Sequence, residues 1–264
     1  MSDIFVGIDV GSTTTKVVIL SGEEVVASAI APTGASCRKT SHELYEKTLA
    51  ETGRSERDVA LAVSTGYGRR MVDFPTEIVS EITANAVGAR FLSREAGRVR
   101  TIIDVGGQDS KAISLDEEGR VLDFAMNDKC AAGTGRFLEV MSRALELDLD
   151  EFARVSLDAT SPLQITSLCT VFAETEVVGL VSQGKAVADI AAGIHNAIAA
   201  RVGALVRRVG LSAPVFFDGG AALNAGLRRA IEKNLGVELI VPASPQMVVA
   251  TGAALIARER HASR

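Results

Sequence analysis

The sequence predicts an α/β fold, and two observations support this prediction. Apolar, β-branched runs bounded by Gly, Ser and Thr turns alternate with longer segments whose apolar residues recur at helical spacing. The opening strand–turn–strand pattern also returns, because residues 102–111 align without a gap on residues 7–16, 95 residues later. Strands that alternate with helices are typical of α/β proteins.

The order of elements follows from these patterns. Strands are predicted at residues 5–10, 16–20, 24–30, 59–64, 102–105 and 214–217. Helices are predicted at residues 41–52, 77–92, 133–147, 189–209, 223–235 and 248–260. Asp, Val, Gly and Lys occupy the same positions in the two aligned segments. Asp218-Gly219-Gly220 is a shorter third occurrence of the pattern. The recurrence indicates two related half-domains that each open with a hairpin holding an aspartate, although Asp-x-Gly is also common in ordinary hairpins.

Composition excludes several classes of protein. The 264 residues include 28 basic and 33 acidic side chains, for a net charge of −5, which argues against a general nucleic-acid binder. The longest charge-free run, residues 239–257, is interrupted by Pro242 and Pro245 and does not suit a membrane span. The first residues lack a basic region and a cleavage site, so no signal peptide is expected. With Cys37, Cys130 and Cys169 alone, the sequence predicts a cytoplasmic protein without disulfides.

The first glycine turn is a candidate phosphate-binding loop. Glycine allows the backbone to approach an anion, hydroxyl groups add donors, and a lysine neutralises charge. These candidate residues are Gly11, Ser12, Thr13, Thr14, Thr15 and Lys16. The turn matches neither a P-loop nor a dinucleotide-binding fingerprint, and an ordinary hairpin is the alternative interpretation.

The second and third glycine turns extend this hypothesis. Gly106 and Gly107 repeat the first turn, so that two anion-binding hairpins form a clamp with Asp9 and Asp104 at its base. Carboxylates in such a place hold a hydrated Mg²⁺ between nucleotide phosphates, and Gln108 is placed to position an attacking water. Gly219 and Gly220 allow a flat adenosine ring to lie against the backbone, and Gln246 is a further candidate contact for the nucleotide.

Together these three turns resemble the phosphate and adenosine motifs of the actin/Hsp70/sugar-kinase ATPase superfamily. The resemblance implies two ribonuclease-H-like domains with ATP and Mg²⁺ in a cleft between them. The first domain is expected at residues 1–98, with a C-terminal helix at about 248–264 packing back on it, and the second at residues 99–247.

Two cysteines stand before predicted helices. Cys130 opens Cys-Ala-Ala-Gly-Thr-Gly-Arg-Phe, and Cys169 opens Cys-Thr-Val-Phe-Ala-Glu. A helix N-terminus stabilises a thiolate, although a lone cysteine is more often a small buried apolar residue. Two sulfurs from each of two chains would make a four-cysteine site, but spacing alone does not indicate one, because the sequence has no Cys-x₂-Cys pair.

The residues around these cysteines carry a more specific resemblance. Asn127–Glu139, Cys169–Glu174 and Ser64-Thr65-Gly66-Tyr67-Gly68-Arg69 resemble activators of 2-hydroxyacyl-CoA dehydratases, in the BadF/BadG/BcrA/BcrD ATPase family. The resemblance implies a homodimer that holds one [4Fe–4S] cluster through Cys130 and Cys169, with no ligand role for Cys37. It further implies that ATP hydrolysis drives transfer of one electron from the cluster to a partner dehydratase, and that ferredoxin or flavodoxin reduces the cluster.

Nucleotide binding is expected to act on the cluster through a hinge between the two domains, and three other functions remain open. Helices beginning at Cys130 and Cys169 are expected to connect nucleotide binding to the cluster. One alternative is the activating ATPase subunit of a benzoyl-CoA reductase. The others, from different classes, are a small-molecule kinase without iron and a chaperone-like nucleotide switch.

Overall fold

The structure is a computed structural model that describes residues 3–74, 76–166 and 169–264. The chain forms two compact units. Unit 1 consists of Met1–Arg98, Asp116–Val121 and Gln246–Arg264, and unit 2 consists of Val99–Leu115 and Leu122–Pro245. Each unit contains its own five-stranded sheet with helices packed on it, so the predicted α/β class is confirmed.

The sheet of unit 1 is mixed and has the order β3-β2-β1-β4-β5. Its strands are β1 (Ile4–Val10), β2 (Thr14–Ser21), β3 (Glu24–Pro32), β4 (Val59–Thr65) and β5 (Glu77–Ile78). The β1–β2 pair is an antiparallel hairpin, whereas β1 and β4 are parallel. Every residue of β1 is buried, as expected for a central strand covered on both faces.

Three helices cover this sheet: α1 (Cys37–Glu51), α2 (Glu81–Leu92) and α8 (Val248–Ala262). A glycine seam of Gly7, Gly88 and Gly252 brings α8 against β1 and α2. A Cβ on Gly252 would lie 2.8 Å from the backbone nitrogen of Gly88, and one on Gly7 would meet the α8 backbone at Ala250 and Ala254. Backbones approach this closely only where side chains are absent, so the seam fixes α8 in unit 1.

The sheet of unit 2 repeats the arrangement of unit 1, with the order β10-β9-β6-β7-β8. Its strands are β6 (Thr101–Val105), β7 (Ser110–Leu115), β8 (Val121–Asn127), β9 (Val215–Asp218) and β10 (Leu239–Ile240). Again the first two strands form an antiparallel hairpin, and the first strand pairs in parallel with the fourth. The recurrence in the sequence therefore corresponds to a repeated sheet topology.

Five helices complete unit 2. They are α3 (Gly135–Ala144), α4 (Leu149–Val155), α5 (Thr170–Ser182), α6 (Val187–Val209) and α7 (Ala225–Leu235). The central helix is α6, whose apolar residues Ile190, Ile194, Ile198 and Val202 are buried at the spacing of one helical face. Its packing against α7 and the sheet forms the core of the unit.

Several predicted boundaries are wrong. The helix expected at residues 77–92 begins at Glu81, because Glu77–Ile78 pairs with β4 and the Ser80 hydroxyl accepts a hydrogen bond from the Ile82 amide. The helix expected from residue 133 begins at Gly135, because Gly133 has a φ of +94°. Strand β8 and helix α4 lie where neither was predicted. Among the helices of the described ranges, none combines the length and apolar character that a membrane span requires.

Candidate functional site

The hairpin of unit 1 places an ion pair beside its turn. Asp9 and Lys16 are directly opposite on β1 and β2, and Lys16 Nζ lies 2.9 Å from Asp9 Oδ2. The Gly11 amide donates to the Thr14 carbonyl at 3.1 Å and closes the turn, so this amide is not available to an anion. Glycine is needed at residue 11, because a Cβ there would lie 2.8 Å from the Thr14 carbonyl oxygen.

The predicted phosphate-binding hydroxyls of this turn fall into two groups. Ser12 and Thr13 are exposed and Thr14 is half-buried, so these residues are accessible to a ligand. Thr15 is fully buried, and its hydroxyl lies 3.0 Å from that of Thr33. Thr33 in turn donates to the Gly11 carbonyl at 2.8 Å. The Thr15 hydroxyl therefore supports the turn from inside.

The hairpin of unit 2 repeats this geometry and adds a carboxylate. Asp104 and Lys111 are opposite on β6 and β7, and Lys111 Nζ lies 3.2 Å from Asp104 Oδ2 and 2.8 Å from Asp109 Oδ2. The Gly106 amide closes the turn onto the Asp109 carbonyl at 3.0 Å, and Gln108 is exposed. Sequence reasoning missed Lys111 and Asp109, although Lys111 aligns with Lys16.

The turn of unit 2 is bonded to the start of α3. The Gly135 amide donates to the Gly106 carbonyl, and the Arg136 amide donates to the Gly107 carbonyl, each at 2.8 Å. The first amides of a helix lack partners within the helix, and here the hairpin carbonyls satisfy them. Gly135 suits this close contact, because a Cβ there would lie only 3.1 Å from the Gly106 carbonyl oxygen.

The third glycine turn follows β9 in unit 2. Asp218 is fully buried and lies opposite Asp104 in the parallel β6–β9 pair. Gly219 follows with a φ of +84°, and its amide donates to the Pro245 carbonyl at 3.1 Å. Gly220 is exposed. Gln246 is half-buried in a single turn of 3₁₀-helix, Pro245–Met247, and is the first residue of the last segment of unit 1.

The three cysteines lie in different local structures. Cys130 is exposed in the loop after β8, where the Asn127 side-chain amide donates to the carbonyls of Cys130 and Ala132. Cys169 is exposed at the N-cap of α5. The prediction that a helix begins at Cys130 is therefore wrong, since α3 begins at Gly135. Cys37, expected in a loop, is the half-buried first residue of α1.

The donor chemistry fits the two metal groups that the resemblance implies. Within the described residues of one chain, no group of three or more His, Cys, Asp or Glu side chains is arranged to hold a metal ion. Cys130 and Cys169 present two accessible thiols per chain, so a four-sulfur site requires two chains. The carboxylates of Asp9 and Asp104 are oxygen donors of the kind that bind hydrated Mg²⁺.

Known proteins are similar to this chain over nearly its whole length. A 2-hydroxyisocaproyl-CoA dehydratase activator of Clostridioides difficile is 45% identical over 95% of this chain and 93% of its own. The (R)-2-hydroxyglutaryl-CoA dehydratase activating ATPase of Acidaminococcus fermentans is 42% identical over 99% and 100%. The solved activator of the 2-hydroxyisocaproyl-CoA dehydratase from Clostridium difficile, with bound ADPNP, superposes with a TM-score of 0.91 and 42% identity, covering 100% and 96%.

The fold extends to more distant ATP-binding proteins. A glucokinase of the ROK family from Streptomyces griseus, solved with glucose and AMPPNP, covers 97% of this chain with a TM-score of 0.59 at 14% identity, which shows the actin/Hsp70/sugar-kinase fold alone. The model of the BadF/BadG/BcrA/BcrD ATPase family matches residues 6–257. The predicted membership is thus confirmed, and this chain belongs to the BadF/BadG/BcrA/BcrD ATPase family.

Proposed function

We propose that this protein is an ATP-dependent one-electron donor that activates a 2-hydroxyacyl-CoA dehydratase. The observation that carries the proposal is the pair of exposed cysteines, Cys130 and Cys169, in a chain that is 42–45% identical to dehydratase activators. In a homodimer the two pairs would supply four thiolates for one [4Fe–4S] cluster. When bound, the cluster supplies a one-electron redox centre, and ferredoxin or flavodoxin is its proposed reductant.

The surface around Cys169 supports an interface there. Val171 and Phe172, in the first turn of α5, are 66% and 68% exposed, and Val178 and Val181 of the same helix are also exposed. Large contiguous exposed apolar patches mark protein–protein interaction sites. A second copy of the chain that covers this part of α5 would bring its own cysteines to the same place.

The nucleotide is proposed to bind at the glycine turns. The proposed phosphate-binding residues are Ser12, Thr13, Thr14, Lys16 and Gly107, in turns that the Gly11 and Gly106 amides close. Gly219, Gly220 and Gln246 are proposed to lie near the adenosine, and Thr15 supports the first turn from inside. Asp9 and Asp104 are the proposed ligands of hydrated Mg²⁺, and Gln108, which is exposed, is proposed to orient the attacking water.

A short path of two hydrogen bonds and a few residues of chain joins one of these turns to a proposed cluster cysteine. The Gly106 and Gly107 carbonyls hold the first amides of α3, and only the loop of residues 131–134 separates α3 from Cys130. The Thr134 hydroxyl tightens this loop with a 2.6 Å bond to the Ala131 carbonyl. We propose that ATP binding or hydrolysis shifts the turn, and that this shift is passed to Cys130 along this path. The path takes the role that was predicted from the sequence for a helix beginning at Cys130.

The experiment that tests the proposal compares three serine variants. Wild type, Cys130→Ser, Cys169→Ser and the matched control Cys37→Ser are purified and reconstituted with iron and sulfide without oxygen. Wild type and Cys37→Ser are expected to bind about two irons per chain and absorb near about 400 nm, and the other two variants to lose both properties. ATP binding should persist in all four proteins, because none of the cysteines lies in a glycine turn.

Two results would contradict the proposal. Wild-type protein that stays colourless and free of iron after reconstitution would remove the redox function and favour a kinase or a nucleotide switch. Loss of iron in Cys37→Ser would show that the ligand assignment is wrong. The assay of function itself is activation of a purified 2-hydroxyacyl-CoA dehydratase, which should require both ATP and an electron donor.

A further inference from the structure

The turn after β4 in unit 1 has the same construction as the proposed adenosine turn of unit 2. Gly66 follows β4 with a φ of +85°, and Gly219 follows β9 with a φ of +84°. Thr65 precedes Gly66 and lies opposite Asp9, whereas Asp218 precedes Gly219 and lies opposite Asp104. The two glycines therefore occupy equivalent places beside the two motif aspartates.

Neither glycine leaves space for a side chain, and the obstacle is the same in both units. A Cβ on Gly66 would collide with Asp9 Oδ1 and lie 2.7 Å from the Val10 carbonyl oxygen. A Cβ on Gly219 would lie 2.6 Å from Asp104 Oδ1 and collide with the Val105 carbonyl oxygen. Each carboxylate thus rests on the bare backbone of a glycine, while its other oxygen faces a lysine.

The turn of unit 1 is also bonded to the strand that carries Asp9. The Gly68 amide donates to the Val10 carbonyl at 2.8 Å, and the Arg69 guanidinium donates to the Gly66 carbonyl at 2.9 Å. A Cβ on Gly68 would collide with the Val10 side chain, so this glycine is part of the same close contact. The Thr65–Arg69 turn is therefore held in one position relative to Asp9.

We infer that Gly66 is a positioning residue for Asp9, and that Gly219 performs the same task for Asp104 in addition to its proposed contact with adenosine. Lysine on one side and the glycine backbone on the other leave each carboxylate one position. This inference rests on the proposed function, since it takes Asp9 and Asp104 as the groups that face Mg²⁺. A displaced carboxylate would weaken the binding of Mg²⁺ and the hydrolysis of ATP more than the binding of the nucleotide itself.

The test is a double-mutant cycle with a matched control. Gly66→Ala, Asp9→Asn and the double variant are compared in full-length protein with Gly53→Ala. Gly53 also has a positive φ, +67°, but its Cβ would meet nothing within 4 Å, so it reports backbone strain alone. The turnover rate of ATP, the Mg²⁺ concentration for half-maximal rate, the affinity for ADP and the thermal unfolding midpoint are measured for each protein.

Gly66→Ala is expected to lower turnover about 10- to 100-fold and to raise the Mg²⁺ requirement, with ADP affinity nearly unchanged. In the Asp9→Asn background it should add little, because both changes act through one carboxylate. Gly53→Ala should change only the unfolding midpoint. If Gly66→Ala does not fold, Gly219→Ala is combined with Asp104→Asn in unit 2, with Gly236→Ala as the strain control. Because Gly219 is also proposed to contact adenosine, only the turnover and the Mg²⁺ requirement at saturating ATP are compared there.

The outcomes separate the inference from the function on which it rests. The inference would be overturned if Gly66→Ala had the same turnover and Mg²⁺ requirement as Gly53→Ala. It would also be overturned if the effects of Gly66→Ala and Asp9→Asn were additive. Either result would leave the proposed ATPase function intact. Wild-type protein that neither binds nor hydrolyses ATP would overturn both.

Discussion

The two hairpins share a register but differ in how their lysines are held. In unit 1, Lys16 pairs with Asp9, and 14% of the lysine side chain is exposed. In unit 2, Lys111 bridges Asp104 and Asp109, and only 4% of its side chain is exposed. The extra carboxylate gives the second hairpin a net negative charge where the first is balanced. The two hairpins therefore share one scaffold but differ in the charge at their turns.

The supports of the two turns differ as well. A side chain supports the first turn, since the Thr33 hydroxyl donates to the Gly11 carbonyl. Backbone amides of α3 support the second turn, at Gly106 and Gly107. The Thr33 hydroxyl can shift without moving a helix. In unit 2, α3 is hydrogen-bonded to the turn, so a displacement of the turn displaces the start of α3. The proposed communication with Cys130 therefore runs through the second turn and not the first.

The largest expected effect concerns the lysines. Replacing Lys111 by Met should destabilise unit 2 by about 3 kcal/mol, because Asp104 and Asp109 would then face each other without a cation in a largely buried place. Replacing Lys16 by Met should cost unit 1 less, because it leaves one buried carboxylate without its cation where Lys111→Met leaves two. Hydrogen exchange of β7 and β2 measures the two units separately. Equal losses in both would show that the charge difference has no energetic consequence.

A smaller effect is expected at the support of the first turn. Thr33→Val removes one hydroxyl that serves both the Gly11 carbonyl and the buried Thr15 hydroxyl, and should cost about 1–2 kcal/mol. Thr40→Val, at a residue whose hydroxyl donates to the Thr33 carbonyl away from the turn, is the control. Amide exchange at Thr13 and Thr14 reports the opening of the turn. Unchanged exchange in Thr33→Val would mean that the hydroxyl does not support it.

The last two predictions concern the dependence of stability on pH, which should have opposite signs in the two units. His195 of unit 2 is buried against Phe152, with ring centroids 4.6 Å apart, and burial lowers its pKa from 6.5 to about 3. Below pH 6.5 the unfolded chain binds a proton that the folded unit does not. Stability is therefore lost as pH falls from 6.5 toward 3, by about 1 kcal/mol for each pH unit. His195→Leu should remove this slope, as measured by denaturant unfolding at several pH values.

His42 of unit 1 provides the contrast. A hydrogen bond to Asp73 at 3.0 Å raises the pKa of this exposed imidazole above 6.5. The stabilisation that protonated His42 gives the folded unit is therefore complete below pH 6.5 and is lost as pH rises through the raised pKa. Asp73→Asn should reduce that loss. If both units lost stability in the same direction with pH, the different environments of the two imidazoles would not explain it.

Sequence reasoning predicted the hairpins well because their signals are local. The aspartate, the glycine turn and the β-branched strand each specify backbone geometry within a few residues. It missed β8, whose apolar residues Leu122, Phe124 and Met126 are exposed while Ala125 is buried, which reverses the usual pattern. It also missed the Lys111–Asp109 pair and the contact of Gly66 with Asp9, because both depend on which strands become neighbours.

The glycine seam of α8 has a consequence for the order in which the protein matures. Unit 1 draws β1 from the beginning of the chain and α8 from residues synthesised some 240 positions later, so ribosomal synthesis delivers its first strand long before the helix that covers it. Unit 2 has all of its strands and helices available earlier. The half of the molecule that emerges first from the ribosome is thus the last to be completed.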